Sequence, residues 1–179
     1  MKASPQTQPG RDAVMLASLC VGRLTLAVPL RDLQSLEPVL DVDRQRRGGG
    51  SAGSIELRTG RCPVYCIDDG MTVLEDTRPE HRICAILSGG EMGSFGLICS
   101  TVEAVGGDRL ASFGVPACMH TRDSPIDGLT LHGQRVLCRT TGAMLARFVT
   151  AAAMPFGVPA GESADLGSQL DPGIDEDFA

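Results

Sequence analysis

Cys62 and Cys66, separated by Pro63, Val64 and Tyr65, are the first residues in the chain whose type and spacing suggest chemistry. Paired thiols act as zinc ligands or as a redox couple, but the familiar pattern leaves two residues between them, not three. No second pair of cysteines or histidines lies nearby to complete a tetrahedral set, since His81, His120 and His132 stand singly. On an extended strand, residues four apart share a face yet lie roughly 13 Å apart, too far to hold one ion without a bend. The spacing therefore predicts strand thiols packed in a core, with a cysteine-based redox pair or small β-barrel enzyme as the alternative.

Asp68 and Asp69 are adjacent and followed by Gly70, which suits a turn better than the converging carboxylates of a glycosidase or a divalent-metal site. Cys118 and His120 could share a strand face, but no acid is identified to orient the histidine and the surrounding segment is proline-flanked. Neither "GGG" (48–50) nor "GGEMG" (89–93) opens a helix with the lysine and hydroxyl residue of a phosphate-binding loop. With no catalytic residues, metal ligands or cofactor site singled out, the expected work is binding other proteins.

The elements that would position such a surface are short. The 179 residues are 42% hydrophobic with no tryptophan, one tyrosine and five phenylalanines, a globular composition built on aliphatic residues. Net charge is −6, and the whole excess lies beyond Met154 in Glu162, Asp165, Asp171, Asp175, Glu176 and Asp177. The rest balances, so no nucleic-acid partner is expected, and Arg44, Arg46 and Arg47 before three glycines read as a solvated loop. No apolar run reaches the roughly 18 residues of a membrane span, and residues 1–12 lack the apolar segment of a secretory signal, so no membrane insertion and a cytoplasmic location are expected. Seven cysteines, an odd number scattered through apparent strands, fit buried free thiols in a reducing compartment.

Alternation predicts strands over about 14–20 and 23–29, reversed at Gly22, then a short helix or strand over 30–36 limited by Pro38. Residues 41–52 read as a linker too polar to pack. Ile55 and Leu57, 62–67, 83–87 and 96–99 leading into Val102 and Val105 read as further strands, with a hairpin connection over 88–94. Pro63 should sit at a strand start or an edge. A flexible reach is expected over 111–125, then a strand pair, 129–131 and 136–138, turning at Gly133. Thr141 should cap a helix presenting Met144, Leu145, Phe148 and Val149 on one face and ending at Pro155 and Gly157. The organisation is a flexible leader (1–12), one domain (13–154) and an acidic disordered tail (155–179). Eight to ten strands, one helix and no βαβ rhythm make the protein all-β, closed or nearly so.

Order and residue content along these strands resemble the CheW-like domain of bacterial chemosensory adaptors. Gly53, Ile55, Leu57 and Arg58 match that family's "GVINLRG", and Pro63, Val64 and Ile67 match its "PVIDL" in the same register. "RICAI" (82–86) is similar to the core strand that follows, "GLICSTVEAV" (96–105) to "GLLVDSVEEV", and "LTLAVPLRDLQSL" (24–36) to an early "AIPL" stretch. The chain departs from the pattern at Thr59, where the family usually has glycine, and at Cys66 and Ser100, where it has aspartate.

The resemblance, covering about residues 14–150, implies two small intertwined five-stranded SH3-like barrels with a C-terminal helix, no catalysis and no cofactor. It also implies an adaptor joining the cytoplasmic tip of methyl-accepting chemoreceptors to a CheA-type histidine kinase, in chemotaxis or twitching motility. Arg58 corresponds to the family arginine implicated in these contacts. Thr59 beside it, and Val28, Leu33, Leu36, Leu97 and Val102 at core or groove positions, are the candidate protein-binding residues. A degenerate adaptor able to bind only one partner is a further alternative.

Overall fold

The chain first reverses at Gly22, whose φ of +58° lies in the left-handed region. The two-residue turn there joins Leu16–Val21 (β1) to Leu24–Pro29 (β2), paired antiparallel with Leu19 opposite Leu26. Pro29 is followed by a 3-10 turn, Leu30–Asp32, and then by Leu33–Pro38 (β3), so the segment expected to be helix or strand is a short piece of each. The computed structural model describes residues 15–106, 110–116 and 124–153. The leader, Cys118, His120, Pro155, Gly157 and the acidic tail lie outside them.

Nine more strands follow: Gly53–Leu57 (β4), Gly60–Ile67 (β5), Val73–Leu74 (β6), Ile83–Ser88 (β7), Ser94–Cys99 (β8), Thr101–Val105 (β9), Ala111–Gly114 (β10), Gly128–His132 (β11) and Arg135–Arg139 (β12). They form two six-stranded sheets. The first runs β10-β11-β12-β2-β1-β9; the second runs β3-β7-β8-β5-β4, with β6 paired to β5. The chain leaves the first sheet after β2, builds the second, and returns at β9, so the two units are intertwined. Each sheet has one parallel pair, β12 with β2 and β5 with β8.

Period-two alternation divides the core into three. One face of each sheet meets the other in a central layer: Leu19, Leu26 and Val28 from the first, Tyr65, Ile67, Leu87, Phe95 and Leu97 from the second. Tyr65 and Phe95 meet edge to face at 6.4 Å. The opposite face of the second sheet encloses Ile55, Val64, Ile86 and Ile98 with three thiols, Cys62, Cys66 and Cys84. That of the first encloses a smaller set, Leu16, Ala27, Val105 and Leu137.

The helix Gly142–Ala153 (α1) closes the central layer with Leu145, Ala146 and Val149. Thr141 Oγ1 accepts the Met144 N–H at 3.2 Å, the N-cap bond expected of it, and Asp32 Oδ2 accepts the Gly142 N–H at 2.9 Å. The Asp32 bond ties the helix start to the β2–β3 connection. Gly142 also lies against the Ser88 carbonyl oxygen so closely that a Cβ would overlap it.

Three expectations need correction. The 41–52 segment does pack at its ends: Val42, Ser51 and Ala52 are buried, and Asp43 bonds in both directions with the backbone of Ser54. The supposed flexible reach contains β10, an edge strand exposed at every position, whose pairing with β11 leaves no alternation to read. Pro63 lies inside β5, not at its start. It stands opposite Ser54, whose backbone N–H and carbonyl are both turned to Asp43, and pairing with β8 begins only at Val64. No ladder bond is lost.

Candidate functional site

Residues Cys62, Val64 and Cys66 point to the same side of β5, into the second sheet's own core. Both thiols are buried, and burial pushes each up to about 11; Cys84 and Cys99 are pushed up to about 12 for the same reason. All six cysteines among the described residues are free. A reactive cysteine needs a stabilised thiolate and access, and Cys62, Cys66, Cys84 and Cys99 have neither.

Cys66 does have a partner that its sequence neighbourhood hides. Its Sγ lies 3.4 Å from Nδ1 of buried His81, which also accepts the Arg78 backbone N–H at 3.2 Å. Accepting that N–H requires an unprotonated Nδ1, so the thiol is the donor in the Cys66 contact. Burial lowers the His81 pKa; the Glu80 charge opposes that shift and the Arg78 charge reinforces it. A thiol pushed up beside an imidazole pushed down is the reverse of the thiolate–imidazolium pair of a cysteine nucleophile. The arrangement pins the loop before β7 onto β5.

The adjacent aspartates have separate structural duties. Asp68 Oδ1 accepts the N–H groups of Gly70 at 2.9 Å and Thr72 at 2.8 Å, an Asx-type turn. Asp69 receives the Arg23 guanidinium at 2.9 Å, which holds its carboxyl below the ordinary range and ties the second sheet to the β1–β2 turn. Among the described residues, no group of three or more His, Cys, Asp or Glu side chains could hold a metal ion.

The candidate contact residues fall into different places. Val28 and Leu97 are 0% exposed in the central layer. No partner can touch them in this fold, so as contact residues they are corrected to packing residues. Val102, half-buried on the edge strand β9 opposite Leu19, packs against the same layer from the first sheet. Leu33 and Leu36 lie on β3, an edge of the second sheet. Three apart, they would ordinarily face opposite ways. A register shift between Leu33 and Ser35 pairs Leu33 with Leu87 and Leu36 with Ala85, both central-layer residues. Leu33 is half-buried and Leu36 is 48% exposed, so β3 carries the central layer out to solvent.

Arg58 and Thr59 form the two-residue turn between β4 and β5, at the other edge of the second sheet along the ladder. Both are exposed, and Arg58 makes no salt bridge or side-chain hydrogen bond with another described residue. The threonine where a glycine was expected is accommodated because the positive φ falls one residue later, on Gly60 at +118°. An exposed guanidinium on a hairpin tip can do one chemical thing well, namely bind carboxylate or carbonyl groups of another molecule.

In fold, the chain is similar to the crystal structure of the scaffolding protein TtCheW from Thermoanaerobacter tengcongensis. The two are 16% identical over 72% of this chain and 89% of that one, with a TM-score of 0.56. No protein-family model matches the sequence. At that identity the likeness establishes the fold: all-β and CheW-like, with two curled sheets and a C-terminal helix. Each sheet has six strands, not the five expected, and the two-residue β6 supplies the addition in the second. No helix among the described residues is long and apolar enough to cross a membrane.

Proposed function

We propose that the chain is a non-catalytic adaptor that couples the cytoplasmic tip of methyl-accepting chemoreceptors to a CheA-type histidine kinase in a chemosensory pathway. The observation that carries this reading is Arg58, which matches the family arginine by motif and stands exposed and unpaired at the β4–β5 tip of a CheW-like fold. The titratable groups that first suggested chemistry support it from the other side, since Cys62, Cys66, His81, Asp68 and Asp69 are buried or engaged in structural bonds. Leu33 and Leu36, on the β3 edge opposite the Arg58 tip, supply a separate apolar contact surface, with Thr59 beside Arg58 and Val102 on β9 as further candidate positions.

A pull-down from native cytosol and membrane fractions tests it. The intact chain should retain a histidine kinase from the first and a chemoreceptor from the second. Retention of only one of them would reduce the protein to a degenerate adaptor, and retention of neither would remove the reading.

A further inference from the structure

The last turn of α1 ends on the arginine loop. Gly50, at φ +69°, lies so close to Ala153 that a Cβ built on it would be 2.5 Å from the alanine Cβ and 2.7 Å from its carbonyl oxygen. The chain beyond Ala153 therefore starts beside the 44–50 segment, which carries Arg44, Arg46 and Arg47. Gly50 is six positions from Arg44, a span of at most about 22 Å.

Two surface pockets flank that loop, and neither has an acidic residue in its lining. One, of about 560 Å³, holds Arg44, Arg78, Arg82 and His81 against an apolar wall of Pro38, Val39 and Leu40, the last 93% exposed. The other, of about 330 Å³, holds Arg46, Arg47 and Arg61. Asp43 pairs with Arg46 at 3.3 Å and Asp76 with Arg47 at 2.7 Å, while Asp41 and Glu80, close in sequence to Arg44, Arg78 and Arg82, lie outside both linings. Arg44, Arg78 and Arg82 make no ion pair with another described residue.

Beyond Met154 the chain carries six acidic residues and no basic one, with Leu170, Ile174 and Phe178 interleaved among Asp171, Asp175, Glu176 and Asp177. That chemistry, carboxylates alternating with apolar side chains, is the complement of arginines beside an exposed leucine. We infer that the arginine face formed by Arg44, Arg78 and Arg82 with the 44–50 loop is a docking site for an acidic-apolar peptide, and that its occupant is residues 170–178 of the same chain.

Reach and concentration favour the same chain over a second copy. The 18 residues from Ala153 to Asp171 extend to about 60 Å, well beyond the loop, and a tether of that length as a coil averages about 23 Å end to end. Short flexible tethers hold their ends at effective concentrations in the millimolar range, above any ordinary concentration of a second molecule. The contact is electrostatic and exposed, so it weakens as the Debye length falls from about 10 Å at 0.1 M salt to about 3 Å at 1 M.

Backbone amide NMR on the intact chain tests this in both directions. Asp171→Asn with Asp175→Asn, Glu176→Gln and Asp177→Asn should shift the amide signals of 44–50 and 77–82 while leaving those of β7 and β8 in place. The separate variant Arg44→Ser with Arg78→Ser and Arg82→Ser should shift the signals of 170–178. Raising salt to 1 M should reproduce both sets, and none should depend on protein concentration. Unmoved loop signals in the tail variant would overturn the proposal, as would unmoved tail signals in the arginine variant. Shifts that grow with protein concentration would also overturn it, because they would assign the face to a second copy.

Discussion

Within the fifteen residues Gly53–Ile67, the turn and the strand after it use their side chains in opposite ways. On β5, Cys62 and Cys66 look chemical but face a closed apolar core, with raised thiol pKa values and no access. At the β4–β5 tip, Arg58 and Thr59 look ordinary but are free to meet another molecule. The difference teaches that a residue type suggests chemistry only through its environment. Burial deactivated the thiols, while exposure left the guanidinium available.

The comparison can be broken most forcefully from the buried side. Leu97→Ala, in the central layer, should cost about 2 to 5 kcal/mol of stability in urea denaturation. A cost below about 0.5 kcal/mol would mean that Leu97 is not packed as described and is again available as a contact residue.

Titration gives the next effect. With folded thiol values of about 11 to 12 against an ordinary 9.0, the cysteine contribution is intact below pH 9 and is lost as pH rises from 9 through 12. Below pH 9 the thiols of Cys62, Cys66, Cys84 and Cys99 should react with a disulfide reagent only as fast as the protein opens. His81 acts at the other end of the scale. Its folded pKa is depressed below the ordinary 6.5, so its contribution is present above 6.5 and fades as pH falls through the folded value. Denaturant midpoints measured across pH should show both limbs, and His81→Gln should flatten the acidic one.

A smaller effect contrasts the two barrel interiors. Thr130 is buried beneath the first sheet, and its hydroxyl has no partner. Thr130→Val should therefore stabilise by about 1 kcal/mol in the same denaturation assay. The smallest change is expected at the exposed tip, where Arg58→Ala should alter stability by less than about 0.5 kcal/mol.

Much of this architecture was legible in the chain. Alternation marked β2 and β4, extended or continuous apolar runs marked β5 and β7, Gly22 and Gly133 marked the β1–β2 and β11–β12 turns, and Thr141 marked the helix start, because each signal is local. What remained hidden depends on pairing between distant segments. The shift that turns both Leu33 and Leu36 to the central layer arises from pairing with β7, fifty residues away. Cys66 meets His81 only after the chain has folded back, and β10 has no apolar alternation to announce it. The candidate site was legible at Arg58 through motif order, whereas the aliphatic positions could not be divided by sequence into core, as Val28 and Leu97 are, and margin, as Leu36 is.

The central claim is that the exposed tip, not the thiol-bearing strand, does the protein's work. It is tested most directly by measuring the affinity of purified wild-type, Arg58→Ala and Cys62→Ser/Cys66→Ser chains for the two proposed partners, a CheA-type kinase and a chemoreceptor tip. The account predicts that Arg58→Ala weakens association by about 1 to 3 kcal/mol at unchanged folding stability, while the serine variant, in the temperature range where it stays folded, binds as wild type does. Binding unaffected by Arg58→Ala but lost in the folded serine variant would contradict it.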